Sequence, residues 1–205
     1  MACESGFDTK SKQEISLQSL KTSDLDIVYV FVLGDEGVGK TTLIDSVTTR
    51  RICDPLLPSF QYVSESDRMT DKGAITLRLL ELKREHLSLP EISQVCRAAK
   101  NVFLLVYAID HLLGFNICYC RWIICVKMAF GRTAATVMLG NKIDLKNDAN
   151  FKINNPHYRD TLSHSNKRRF NVDCALECSA LTGDQVDFVF CEIAKFGNET
   201  RKKRK

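Results

Sequence analysis

Ile27-Val28-Tyr29-Val30-Phe31-Val32-Leu33, running straight into Gly34-Asp35-Glu36-Gly37-Val38-Gly39-Lys40-Thr41-Thr42, is the stretch from which the fold can be read. The first seven residues form an unbroken apolar run, the mark of a strand buried on both faces of a sheet. The segment from Gly34 to Thr41 fits G-x-x-x-x-G-K-[ST], and Leu43, Ile44 and Val47 beyond it fall on one face of a helix expected over Thr41–Ile52. Strand, glycine loop and helix in that order predict a phosphate-binding loop. Glycines let successive backbone N–H groups face inward as an anion nest, and the helix N-terminus adds partial positive charge. Lys40 can reach the β- and γ-phosphates and the Thr41 hydroxyl can hold Mg²⁺. Asp35, Glu36, Gly37, Val38, Gly39, Lys40, Thr41 and Thr42 are the expected phosphate-side residues, with Lys40 also expected to act in catalysis. A plain glycine-rich turn with a chance Lys-Thr pair would share the pattern but not the flanking strand and helix.

The same alternation continues outward. Ala74–Leu82, Val102–Ile109 and Ala134–Leu139 read as further strands. Helices are expected over Glu91–Ala99, where Ile92, Val95 and Ala99 align, and over Asp184–Phe196, where Val186, Val189, Phe190 and Ile193 recur at i, i+3, i+4, i+7. His111–Phe130 is apolar but contains Arg121 and Lys127, so a buried helix is expected there rather than a membrane span. Strands separated by helices predict an α/β fold of the P-loop NTPase kind: a mostly parallel central sheet with helices on both faces.

Two later motifs select a base. Asn141-Lys142-Ile143-Asp144 follows an apolar strand, and an Asp144 carboxylate can accept from the N1–H and 2-amino group of guanine, a donor pair adenine does not present. Asn141 can tie the base edge to the phosphate loop, and the Lys142 stem can cover the ring. Glu177-Cys178-Ser179-Ala180 matches an E-x-S-A loop whose Ala180 N–H would bond guanine O6, with Ser179 and Leu181 beside it. Asn, Lys and Asp are also ordinary turn residues, so each short motif alone is weak; the order and spacing of all three give them force.

With these motifs the chain, from about Asp26 to Phe196, resembles the Ras superfamily of small GTPases. Within it the chain is similar to the N-terminal GTPase domain of the mitochondrial Rho proteins, on Glu91-Ile92-Ser93-Gln94, Val106-Tyr107-Ala108, Arg121-Trp122-Ile123 and the cysteine-preceded Ser179-Ala180. Those proteins continue into EF-hands and a C-terminal membrane helix, which this sequence does not contain. The resemblance implies GTP or GDP with Mg²⁺, and a nucleotide-dependent switch in signalling or organelle regulation. It also exposes departures on the γ-phosphate side. Counting from Lys40, Ser59 stands where a switch Thr binds Mg²⁺, and Glu81 stands where the D-x-x-G Asp belongs, a carboxylate near the metal but not bound to it. Arg84 replaces the glycine of that motif, Glu85 the water-orienting Gln, and Glu36 a loop Gly. Glu85 and Arg84 are the remaining candidates for catalysis. Losing water positioning and an arginine finger removes effects worth roughly 10³–10⁵ in rate. Slow hydrolysis is expected, or, in the alternative reading, none, with the chain serving as a nucleotide-bound interaction module. The run Glu81–Glu85 as a solvated charged face is the bland reading.

Composition narrows the rest. The net charge of +4 is concentrated at the end: without Arg201-Lys202-Lys203-Arg204-Lys205, 24 Lys and Arg face 25 Asp and Glu. The body therefore carries no overall nucleic-acid footprint, and Lys167-Arg168-Arg169 lacks an aromatic stacking platform. Expected boundaries are an N-terminal extension over 1–24, a GTPase domain over 25–197 and a basic tail over 198–205. The tail offers weak attraction to anionic lipid, about 1 kcal/mol per cation at best. No secretory signal, prenylation cysteine or myristoylation glycine is present, so a monomeric cytoplasmic protein is expected, with peripheral mitochondrial attachment if the finer resemblance holds. The nine cysteines, including Cys118, Cys120 and Cys125, read as reduced packing residues rather than metal ligands.

Overall fold

A computed structural model of the chain describes residues 27–71, 73–111, 114–148, 151 and 172–200. The 1–24 extension, Lys167-Arg168-Arg169 and the cationic residues 201–205 lie outside the described residues. The elements are β1 (Ile27–Gly34), α1 (Lys40–Val47), β2 (Arg50–Ile52), β3 (Val63–Thr70), β4 (Gly73–Glu81), a 3-10 turn (Arg84–Ser88), α2 (Pro90–Ala98) and β5 (Lys100–Ala108). They continue with α3 (Gly114–Cys118), a π turn (Tyr119–Ile123), α4 (Ile124–Phe130), β6 (Thr136–Asn141), a second 3-10 turn (Ile143–Asn147), β7 (Cys174–Glu177) and a last helix, here α5 (Val186–Thr200). One seven-stranded sheet runs β2-β3-β4-β1-β5-β6-β7. β4-β1-β5-β6-β7 pair in parallel, and β2-β3-β4 are antiparallel. The expected α/β architecture is therefore present.

The apolar run of β1 alternates between two cores. Val28, Val30 and Val32 join Leu43, Ile44 and Val47 of α1 and Val189, Phe190 and Ile193 of α5. Tyr29, Phe31 and Leu33 face the other way, onto Ile92 and Val95 of α2, Cys118 of α3, and Trp122 and Val126 beyond it. Helices thus cover both faces, and each fully buried Leu or Phe contributes about 1.5–3 kcal/mol relative to exposure. The 114–130 segment buries only one face: Cys120, Arg121, Ile124 and Met128 are exposed. Of its cysteines, Cys118 alone is fully packed, with Cys125 half-buried. Burial, with Asp35 nearby, pushes the Cys118 thiol up. No helix among the described residues is long and apolar enough to cross a membrane.

The helix expected over Thr41–Ile52 is shorter than its pattern suggests, ending at Val47. The Thr48 hydroxyl back-bonds to the Ile44 carbonyl at 2.7 Å, and the N–H and hydroxyl of Thr49 both donate to the Glu65 carbonyl. The chain is thereby drawn off the helix into strand β2, which the periodicity misreads as helix. Strand β3, Val63-Ser-Glu-Ser-Asp-Arg-Met-Thr70, is also absent from the apolar pattern, because charge holds it. Register aligns Arg50 with Glu65, Glu65 with Arg78, and Arg78 with Tyr29. Arg50 Nε donates to Glu65 Oε2 at 2.5 Å and Arg78 Nε to Glu65 Oε1 at 2.9 Å. The Tyr29 hydroxyl and Arg78 Nη1 both donate to Asp54 Oδ2, at 2.8 and 3.1 Å. Asp54 and Glu65 are buried. Burial, which would lower the Arg78 pKa, is outweighed by Tyr29, Glu65 and Asp54, so the guanidinium is held charged. Burial pushes the Tyr29 hydroxyl up, so it stays protonated and donating.

Candidate functional site

The phosphate loop is shaped by left-handed glycines. Gly37 (φ 75°) has open space where a Cβ would stand, and Gly39 (φ 91°) caps α1 where a Cβ would lie 2.5 Å from Asn141 Nδ2. Only residues without a Cβ take this path without strain. Lys40 Nζ donates to the Asp35 carbonyl at 2.8 Å and lies 3.5 Å from Glu81 Oε1, while Thr41 Oγ1 donates to Glu81 Oε2 at 2.8 Å. Glu81 ends β4, in register with Val32 of β1, so two adjacent parallel strands bring the hydroxyl, the lysine and the carboxylate together. A hydroxyl and a carboxylate at one point form the oxygen donor set that suits Mg²⁺. Glu36, Gly37, Thr41 and Thr42 are exposed; Val38 is buried.

On the far side of the loop, Asn141 closes β6. It is 2% exposed; its Nδ2 donates to the Val38 carbonyl and its Oδ1 accepts from Ala180 N–H, each at 2.9 Å. One side chain thus bonds the phosphate loop to the turn after β7. The N–H of Ala180, expected to face guanine O6, is committed to Asn141 in this geometry, so O6 would have to displace that partner. Asp144 Oδ1 accepts from Ser179 Oγ at 2.5 Å, which fixes the carboxylate's orientation. Lys142 adopts φ 71°, an uncommon backbone for a residue with a Cβ, and its Nζ donates to Asp110 Oδ2 at 3.2 Å. Strain of this kind concentrates at functional sites. Leu181 is exposed. A cavity of about 300 Å³ flanks the loop, bounded by Asp35, Val38, Tyr107, Asp110, Ile117 and Lys142 among others.

The γ-phosphate candidates are arranged differently. Ser59 is exposed and its Oγ donates to Glu91 Oε2 of α2 at 3.0 Å, not to the Thr41–Glu81 group. Arg84 and Glu85 are exposed on the 3-10 turn Arg84–Ser88. Sequence reasoning assigned no bonding partner to Asp35, whose Oδ1 accepts from Arg121 Nη1 and Trp122 Nε1, each at 3.0 Å. No spacing rule links residues so far apart in the chain; the topology does.

The model of the Ras family matches residues 29–198. The Rho-related protein racN of Dictyostelium discoideum is 27% identical over 183 residues, covering 86% of this chain and 78% of the relative. Mitochondrial Rho GTPase 1 of Cryptococcus neoformans is 26% identical over 166 residues, covering 80% of this chain but 23% of that longer protein. The GTP-binding protein RHO2 of Saccharomyces cerevisiae is 26% identical over 167 residues, covering 80% of this chain and 84% of its own length. With a phosphate loop bonded through Asn141 to the turn after β7, and a family match spanning strand β1 to helix α5, the chain belongs to the Ras family.

Proposed function

We propose that the protein is a guanine-nucleotide-binding switch whose intrinsic GTP hydrolysis is slow. The observation that carries this reading is Asn141, which joins the Val38 carbonyl to the Ala180 N–H within a short reach of Asp144 and its Ser179 partner. Phosphate-side and base-side groups are thereby held in one rigid unit. In this reading Lys40 and the amides of residues 35–42 hold the β- and γ-phosphates. The Thr41 hydroxyl and, one step further out, the Glu81 carboxylate are the groups that would hold Mg²⁺, which would require them to give up part of their mutual hydrogen bond. Mg²⁺, when bound, neutralises charge on the phosphate oxygens. Asp144 accepts from the guanine N1–H and 2-amino group, and Lys142 covers the ring.

The slow rate follows from what surrounds the far phosphate. Glu36 and Glu85 bring negative charge towards an anionic reaction centre. Arg84 takes the place of the glycine whose backbone would approach that phosphate, and its side chain obstructs the approach. The second reading, a nucleotide-bound module that does not hydrolyse, is favoured by Ser59 being bonded to Glu91. The relatives named as mitochondrial Rho GTPases support peripheral placement at the mitochondrial surface.

Purified protein is expected to carry GDP or GTP, and Asp144→Asn to shift preference from guanine towards xanthine. ATP displacing bound GDP as well as GTP does would refute the base assignment. Single-turnover hydrolysis separates the two readings: a measurable slow rate supports the switch, and no turnover supports the module. The triple change Glu36→Gly, Arg84→Gly and Glu85→Gln is expected to be faster than wild type. A fast wild type, or a slower triple variant, would refute the slow-hydrolysis argument.

A further inference from the structure

Asp35 places a carboxylate inside a loop whose task is to attract phosphate. Its Oδ1 accepts from Arg121 Nη1 and Trp122 Nε1, each at 3.0 Å. Its backbone carbonyl accepts from Lys40 Nζ at 2.8 Å. One residue therefore connects the loop's lysine to the helical segment packed beside it. The two side-chain donors are consecutive in sequence. Neighbouring residues of a regular α-helix project about 100° apart and do not face one another. Here they lie in the π turn Tyr119–Ile123, a distortion that recurs at functional sites.

We propose that Arg121 and Trp122 are positioning residues for the phosphate loop. Through Asp35 they offset its negative charge and fix the carbonyl that aims Lys40, so that nucleotide retention depends on the π turn. The inference rests on the guanine-nucleotide reading above. Trp122 is 7% exposed, so its N–H has little water to turn to if the bond is lost. The Arg121 side chain is 56% exposed and contributes less. Trp122 is also the only tryptophan of the chain, so its emission reports directly on the atom that holds Asp35.

The experiment uses the full chain, radiolabelled GDP, thermal unfolding and tryptophan emission. Trp122→Phe is expected to speed GDP release about tenfold or more, in line with loss of a hydrogen bond to a charged group. Arg121→Ala should speed it less, and Arg121→Lys should recover part of that loss. In an Asp35→Ala background, Trp122→Phe should change release no further, because the acceptor has gone. Adding GDP to the nucleotide-free protein should shift tryptophan emission in wild type and leave it unmoved in Asp35→Ala. Unchanged release in Trp122→Phe with only a lower melting temperature overturns the proposal, as does the same acceleration with and without Asp35. A wild type that retains no guanine nucleotide overturns the functional reading and this inference with it. A wild type that retains GDP, alongside variants that release it at the same rate, overturns this inference alone.

Discussion

On one side of the phosphate loop, Asn141 is buried and bonded twice, Asp144 is fixed by Ser179, and Cys178 packs beneath them. On the other side, Ser59, Arg84 and Glu85 are exposed and sit on a loop and a 3-10 turn. The first rim is part of the core: its strand β6 is buried along its length, and a change there is felt in folding. The second rim is held by the surface, with one exception at its root, where Asp54 is sunk beneath Tyr29 and Arg78. A change at Asn141 is therefore felt in packing as well as at the site, whereas a change at Arg84 or Glu85 is felt at the surface.

The largest expected effect tests the exception. Arg78→Ala leaves Asp54 and Glu65 buried without their shared guanidinium, a loss of about 3–5 kcal/mol. Thermal unfolding should then fall by roughly 6–20 °C for a domain of this size. A shift of a degree or two would mean that the row across β2, β3, β4 and β1 is not what holds the second rim. Asn141→Ala should cost somewhat less, about 2–4 kcal/mol, by leaving the Val38 carbonyl and the Ala180 N–H unpaired in a buried place. Urea unfolding with nucleotide removed isolates that cost from any loss of binding.

Thiol reactivity gives a smaller but sharper contrast. Burial first, then Asp184 and Glu177, pushes the Cys178 thiol up to about 12, whereas Cys53 near the second rim is exposed. The folded state thus holds the Cys178 proton more tightly than the unfolded chain does. That contribution is complete below the ordinary thiol value of about 9 and is lost as pH climbs from there towards about 12. Mass spectrometry after alkylation at pH 8 should find Cys53 modified and Cys178 intact; early labelling of Cys178 would show that the first rim opens readily. The smallest effect belongs to Ser59→Ala. It removes one exposed bond to Glu91, and the unfolding free energy should change by less than about 0.5 kcal/mol. A larger loss would erase the distinction between the rims.

The parallel half of the molecule is legible in the sequence because apolar burial writes it there. Ile27–Leu33 and Val102–Ile109 are continuous apolar runs, and both prove to be central strands, shifted by no more than two residues at either end. The phosphate loop and the Asn141 motif are legible because glycine conformations and a fixed chain order leave few substitutes. The antiparallel edge is not legible. In Val63–Thr70 the buried side chains include Glu65 and Ser66, which an apolar count scores as solvent-facing. The burial of Glu65 depends on Arg50 and Arg78, partners set by register rather than by spacing along the chain. The same limit applies to Asp35, whose donors stand more than eighty residues away.

The sunken Asp54 has a mechanical consequence for the segment that follows it. Asp54 is bolted to β1 and β4, Leu57 is fully buried, and Val63 opens β3, so residues 55–62 hang between fixed posts. Leu57 N–H bonds back to the Asp54 carbonyl and Phe60 N–H to the Leu57 carbonyl, each at 3.0 Å, and Pro55 and Pro58 freeze two of the intervening φ angles. Between those posts the Ser59 hydroxyl is bonded to Glu91 and the Phe60 ring meets the edge of His86, so the segment is also tied to α2 and to the 3-10 turn before it. A protein that docks on this segment meets a shape largely set in advance, and little ordering entropy is left for it to overcome.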